Sequence, residues 1–209
     1  MRTTLTILFS LISMLLEAQT VCQVRSFTIR DGLAANSIAG IDQDARGLIW
    51  IATWNGLCCY DGNQFTTFRA SSAGDTLSTN RIAMIRCDSR SNVWLRTYDG
   101  GLYLFDTYQC RFVDLGKRIE QQYGQRIAPR NIYPLANGHT WISDEQGALN
   151  LRVDDRHATD MEHIEVYGTG GQALHGRYIR RVETDGQGRE WVITDAGRWR
   201  FGSQEFHRG

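Results

Sequence analysis

The sequence predicts an all-β protein made of four-stranded antiparallel propeller blades, and three observations carry that prediction. A tryptophan inside a short apolar run returns four times, as Trp50, Trp94, Trp141 and Trp191, at steps of 44, 47 and 50 residues. The same skeleton of turn residues and glycine surrounds each one. Composition agrees: 21 glycines, 2 prolines and 6 tryptophans among 209 residues suit many short strands joined by tight turns.

The chain begins with Arg2 followed by the run LTILFSLISMLL from Leu5 to Leu16, then small or polar residues around Ala18. A membrane span needs about 20 apolar residues, so residues 1–18 read as a secretory signal peptide cleaved after Ala18. Gln19, Thr20 and Val21 before Cys22 do not form a lipoprotein box. No later stretch resembles a membrane span. The mature chain is therefore expected to be soluble and periplasmic. Charge excludes one class of partner: 23 basic and 23 acidic residues, with no long run of one sign, create no field that draws nucleic acid.

The repeat can be followed element by element. Nine residues before each Trp stands Ile41, Ile85, Ile132 or Val182. Six before it stands Asp44, Asp88 or Asp185, with Leu135 the exception in the third repeat. Three after it comes Thr53, Thr97 or Thr194, with Asp144 differing, and then a turn glycine, Gly56, Gly101, Gly147 or Gly197. In the first repeat the order is an apolar start at Ile38 and Ile41, a turn at Asp44 to Gly47, a β-rich run from Leu48 to Thr53, the glycine turn, Leu57 to Tyr60, and Phe65 to Phe68. Four short strands in about 45 residues are one propeller blade. The blades are expected at 31–70, 77–115, 127–168 and 174–209, within a propeller region of 24–209. The stretch GKRIEQQYGQRI, Gly116 to Ile127, is the closest approach to helical periodicity and reads as a loop with at most one turn. A four-stranded blade cannot bury both faces alone, so the repeated Trp is read as packing between neighbouring blades.

The first repeat, DGLAANSIAGIDQDARGLIWIATWNGLCCYDGNQF, resembles the two-component regulator propeller repeat, found in the periplasmic sensor region of hybrid two-component system histidine kinases. The shared features are DGL-x-x-N, an Asp-x-x-Gly turn, Trp-Ile-x-Thr and Gly-Leu followed by Tyr-Asp. The second repeat, LSTNRIAMIRCDSRSNVWLRTYDGGLYLFD, matches similarly, while the third and fourth are degenerate at Leu135, Asp144 and Arg198. That resemblance implies seven-bladed rings, so four blades imply an incomplete ring, an open arc whose exposed strand edges favour self-association. Closure at four blades is the other possibility. VRSFTI, within 24–30, reads like the outer strand that closes such a ring.

The candidate site follows from the repeat, because the hairpins between second and third strands should emerge on one face. These carry Trp54, Asn55, Tyr98, Asp99, Asp144, Glu145 and Asp195. The residues leading into each first strand join them: Asn36-Ser37, Asn80-Arg81, Arg130-Asn131 and Arg177-Tyr178. Exposed aromatics beside amides, acids and arginines suit an oligo- or polysaccharide, since ring faces stack on sugars and planar polar groups bind hydroxyls. Polar hairpin tips contain the same residue types for turn formation alone. Trp54 and Tyr98 stand outside the core pattern and are the strongest candidates.

Other chemistry is weakly represented. His157 and His163 in DDRHATDMEHIE lack a helical or zinc-finger spacing. GTGG at Gly168 to Gly171 has no following Lys. Five cysteines, Cys22, Cys58, Cys59, Cys87 and Cys110, form neither an even disulfide set nor a CxxC knuckle. Cys58 aligns with core positions and Cys59 points to the opposite face. No catalytic residue, metal site or cofactor is expected. The sequence thus suggests a non-enzymatic N-terminal part of a periplasmic sensor propeller, which binds a glycan-type ligand or mediates sensor contacts and signals only within a longer protein. The alternative is a free-standing, four-bladed secreted scaffold acting through protein contacts.

Overall fold

The computed structural model of the protein describes residues 23–71, 76–124, 126–144, 148–152, 165–169, 178–202 and 205–208. The signal-peptide segment, Cys22, Glu145, Gly147, Arg177, His157 and His163 lie outside the described residues.

Among the described residues, sixteen strands form four antiparallel meanders. The first blade holds β1 (Ile38–Gln43), β2 (Ile49–Thr53), β3 (Gly56–Tyr60) and β4 (Phe65–Phe68); the second holds β5 (Ile82–Cys87), β6 (Val93–Thr97), β7 (Leu102–Asp106) and β8 (Arg111–Asp114). The third holds β9 (Asn131–Pro134), β10 (His139–Ser143), β11 (Ala148–Arg152) and β12 (Glu165–Thr169); the fourth holds β13 (Ile179–Thr184), β14 (Glu190–Thr194), β15 (Gly197–Gly202) and β16 (Glu205–Arg208). The innermost strands adjoin in succession, β1 against β5 and β5 against β9. A link across blades holds them there, the Cys87 N–H donating to Asp42 Oδ2 at 2.8 Å.

Strand alternation explains which residues meet between blades. Trp50, Ala52 and Leu57 face forward and pack with Ile82, Ile85, Val93, Leu95 and Phe105 of the second blade. The Trp50 and Phe105 ring centroids are 5.5 Å apart. Trp94 likewise packs against Ile132, Ile142, Leu149 and Leu151, and Trp141 against Ile179, Val182 and Val192. The repeated Trp is a wedge between blades.

The two ends of the arc show the same rule by contrast. Ile85 and Ile132 are buried, whereas Ile41 at the matching position of the first blade is 60% exposed. Trp191 of the fourth blade is only half-buried, and Arg198 lies over its ring at 4.9 Å. Among the described residues these end faces do not cover one another, which is the arrangement of an open arc rather than of a ring closed at four. Forward-facing positions that are Leu57 and Cys59, or Leu102 and Leu104, become Arg198 and Arg200 in the last blade.

Residues 24–28 enter none of the four sheets. A capped 3-10 turn at Ile29–Asp31 ends this segment: the Thr28 N–H donates to Asp31 Oδ2 at 2.7 Å, and Gly32 follows with φ 103°. A left-handed residue turns an extended segment aside. Phe27 then packs on Tyr60 and Phe65, and Leu33 on Ile51 and Cys58, so this segment lies over the free face of the first blade.

One expectation is corrected: a helix, α1 (Leu115–Tyr123), begins one residue before the stretch expected as a loop and occupies most of it. The Asp114 side chain accepts from the Lys117 N–H at 2.9 Å, and Gly124 ends the helix with φ 67°. Leu115 and Ile119, one turn apart, are buried with Ile127 against the core between the second and third blades. Two core residues in nine are too sparse a pattern to read as helical from the sequence.

The turn aspartates do more than turn. The Asp44 carboxylate accepts from the N–H groups of Arg46 and Leu48 and, at 3.1 Å, from the Trp50 indole N–H. Asp88 does the same for Trp94 and Asp185 for Trp191, at 3.0 and 2.8 Å. Burial alone would raise the Asp44 carboxyl, but the bonds from Trp50, Arg46 and Leu48 outweigh it and hold it below the usual carboxylate range. The Trp191 bond holds Asp185 far below that range. A carboxyl depressed in the folded state contributes stability that is full above its unfolded value of about 3.9 and lost as pH falls through the folded value. The urea midpoint should accordingly fall steeply below about pH 4. Asp44→Asn should be less stable at pH 6 yet show a shallower acid limb; parallel limbs would contradict this linkage.

Candidate functional site

The β2–β3 and β6–β7 hairpins and the residues leading into β1 and β5 meet on one rim of the arc, as backbone bonds require. The Trp54 N–H donates to the Ser37 carbonyl at 3.2 Å, the Tyr98 N–H to the Arg81 carbonyl at 2.9 Å, and the Asp195 N–H to the Tyr178 carbonyl at 3.2 Å. Each hairpin tip is thus tied to the start of its own blade.

Between the first two blades this produces a cluster. Trp54 is 46% exposed and Tyr98 63% exposed, and their rings meet edge to face with centroids 6.2 Å apart. The guanidinium carbon of Arg81 lies 4.7 Å from the Trp54 ring centroid and 5.6 Å from that of Tyr98. A cation over two ring faces is held by their quadrupoles as well as by contact. Sequence reasoning named Arg81 only as one of several residues leading into a strand. The signal for its role was positional, since the start of each blade lies beside the hairpin tip of the blade before.

The neighbouring polar residues are largely committed to structure. Asn55 donates through Nδ2 to the Ala34 carbonyl at 3.2 Å, and its own carbonyl accepts from Arg69 Nε at 3.0 Å. Asn80 uses its side-chain oxygen to accept from the Ala70 N–H at 2.7 Å. Asp99 accepts from the Thr97 hydroxyl; burial opposes, but hydrogen bonds from Thr97, Ser78 and the Gly101 backbone hold its carboxyl below the usual range. Asp144 is buried and Asp195 exposed, each at the tip of a later blade. The rim therefore joins Trp54, Arg81 and Tyr98 in one contact group, and no ring contact extends it to Asp144 or Asp195 among the described residues.

A second polar group lies at the opposite end of the strands. Where Leu135 replaces the turn aspartate, Trp141 still needs an acceptor, and Glu190 of the next blade supplies it. Its Oε2 accepts from the Trp141 indole N–H at 2.6 Å and from Asn150 Nδ2 at 2.9 Å, while Oε1 accepts from Asn137 Nδ2 at 2.7 Å and pairs with His139 Nδ1 at 2.5 Å. Glu190 is buried, so this group latches the fourth blade to the third.

Cys58 is buried and accepts from the Ala34 N–H at 3.3 Å. Burial pushes the Cys59 thiol up to about 11 and Cys87 further still. Cys58, Cys59, Cys87 and Cys110 are all free thiols. Among the described residues no three His, Cys, Asp or Glu side chains are placed to share a metal ion. Nor is any helix among them long and apolar enough to cross a membrane.

Comparison with known proteins agrees with this architecture. No protein-family model matches the chain. A 64-residue stretch, 30% of the chain, is 42% identical to histidine kinase P4 of Formosa agariphila, of whose length it covers 5%. The extracellular domain of a hybrid two-component system from B. thetaiotaomicron superposes with a TM-score of 0.60 at 20% identity, over 91% of this chain and 25% of that one. Virginiamycin B lyase from Staphylococcus aureus, crystallised as an inactive H270A variant with quinupristin, gives 0.57 at 18% identity, over 88% of this chain and 58% of that one. At these identities the structural likenesses establish the propeller-type fold. The chain spans a small part of the kinase and a quarter of the sensor domain.

Proposed function

We propose that this chain is part of the periplasmic sensor region of a hybrid two-component system, and that the rim formed by Trp54, Arg81 and Tyr98 binds a saccharide. The observation that carries the reading is the exposure of Trp54 and Tyr98, two large aromatics from adjacent blades that lie outside the packing pattern and meet in one cluster. Rings presented in this way offer apolar faces to sugar C–H groups, with planar polar groups close by for hydroxyls. The stretch shared with a histidine kinase supports the sensor context.

In this reading the chain acts by binding and not by catalysis. The acid–base pair of Glu190 with His139 is engaged in holding two blades together at the far end of the strands. The uncovered faces at Ile41 and Trp191 suit further blades of a longer ring, and signalling would require the rest of that longer protein. A free-standing scaffold would differ in having no saccharide affinity.

Calorimetry of the purified chain against a panel of neutral and acidic oligosaccharides tests the site. Trp54→Ala and Tyr98→Ala should each weaken the best binder by about tenfold or more, the loss of roughly one stacked ring. Both positions are exposed, so the thermal midpoint should barely move. Undiminished binding in both variants would remove the rim as the site.

A further inference from the structure

We infer that the ligand at this rim is an anionic saccharide, whose carboxylate or sulfate group is held by Arg81. The inference rests on the saccharide reading and specifies its chemistry.

Arg81 occupies the centre of the cluster. Its guanidinium carbon stands over both aromatic rings, and the side chain makes no hydrogen bond or ion pair among the described residues. A guanidinium carries five N–H donors in a planar fork, and contact with ring faces leaves those in-plane donors available. Two oxygens of a carboxylate or of a sulfate group match that fork in paired, charge-assisted hydrogen bonds, which a single sugar hydroxyl cannot do.

Local charge points the same way. Arg69 is anchored through Nε to the carbonyl of Asn55, the residue beside Trp54, and brings a second positive charge to this rim. The acid in the cluster, Asp99, is directed to the Thr97 hydroxyl. Arg69 and Arg81 thus bring two cations to the rim, while the Asp99 carboxylate is already hydrogen-bonded. A neutral sugar would use the rings and offer the fork only neutral hydroxyl acceptors, whereas an anionic sugar adds a charge-assisted pair.

The test compares three forms of one oligosaccharide by calorimetry at low salt: neutral, uronic-acid-containing and sulfated. An anionic form should bind about ten- to hundredfold more tightly than the neutral one, the range expected of a charge-assisted pair, and added salt should narrow the gap. Whichever anionic form leads identifies the group as carboxylate or sulfate. Arg81→Gln should bring the ratio of anionic to neutral affinity close to one, and Arg81→Lys should restore only part of that ratio, because an ammonium cannot bind two oxygens in parallel. Neutral and anionic forms bound equally would overturn this inference while the saccharide reading stood. Failure of all three forms to bind would overturn both.

Discussion

Trp94→Ala is expected to destabilise the protein by about 3–5 kcal/mol, the range for removing a fully enclosed aromatic side chain. Trp94 is 1% exposed and fills the space between second and third blades, against Leu102, Leu104, Ile132, Ile142 and Leu151. Two β-sheets meet there, and neither can collapse into the void without tearing its own ladder. Its indole N–H also leaves Asp88, which then loses a hydrogen bond. Trp191→Ala is the internal control: the same repeat position, half-buried at the end of the arc, should cost only about 1–2 kcal/mol. Equal losses in urea titrations of the two variants would contradict the wedge role assigned to the repeated tryptophan.

The second large effect is expected at Glu190. Glu190→Ala strips the acceptor from Trp141, Asn150 and Asn137 and the partner from His139. Breaking a buried charged network in this way costs about 3–5 kcal/mol. The loss should be concentrated in the fourth blade, so hydrogen exchange over β13 to β15 should quicken more than over β5 to β7. Glu190→Gln keeps one acceptor oxygen and should lose less. An aspartate at 135, the residue type that the other three repeats carry there, should recover part of the loss in the double variant L135D/E190A, since it returns an acceptor to Trp141 from within its own repeat. Stability unchanged in Glu190→Ala would show that Trp141 needs no such partner.

These two predictions differ in how much of their basis the sequence displayed. The wedge was legible, because a large aromatic at a fixed place in a repeated strand pattern has few other uses. The latch was not. Leu135 registers in the sequence as a lapse in the repeat, and nothing in a linear reading pairs it with a glutamate 55 residues later in the next blade. The helix α1 escaped for a related reason. Its two core residues are too few to show a period, and only the groove between two blades gives Leu115 and Ile119 something to bury against.

The rim was legible in part. Trp54 and Tyr98 stood out because they break the repeat, and the sequence offered Asn55 and Asp99 beside them as further candidates. The structure shows both engaged, Asn55 in tying its hairpin to Ala34 and Arg69, and Asp99 in bonding Thr97.

By itself the sequence determined the blades: strand alternation and turn chemistry act over a few residues, so a repeated local pattern specifies a repeated local structure. Tertiary structure alone decided that Arg81 lies over Trp54 and Tyr98, that Glu190 completes the third blade, and that residues 24–30 turn across the first sheet without joining it. Each of those depends on which surfaces two blades present to one another. That is fixed by how the sheets stack, and stacking brings together residues that no local rule connects.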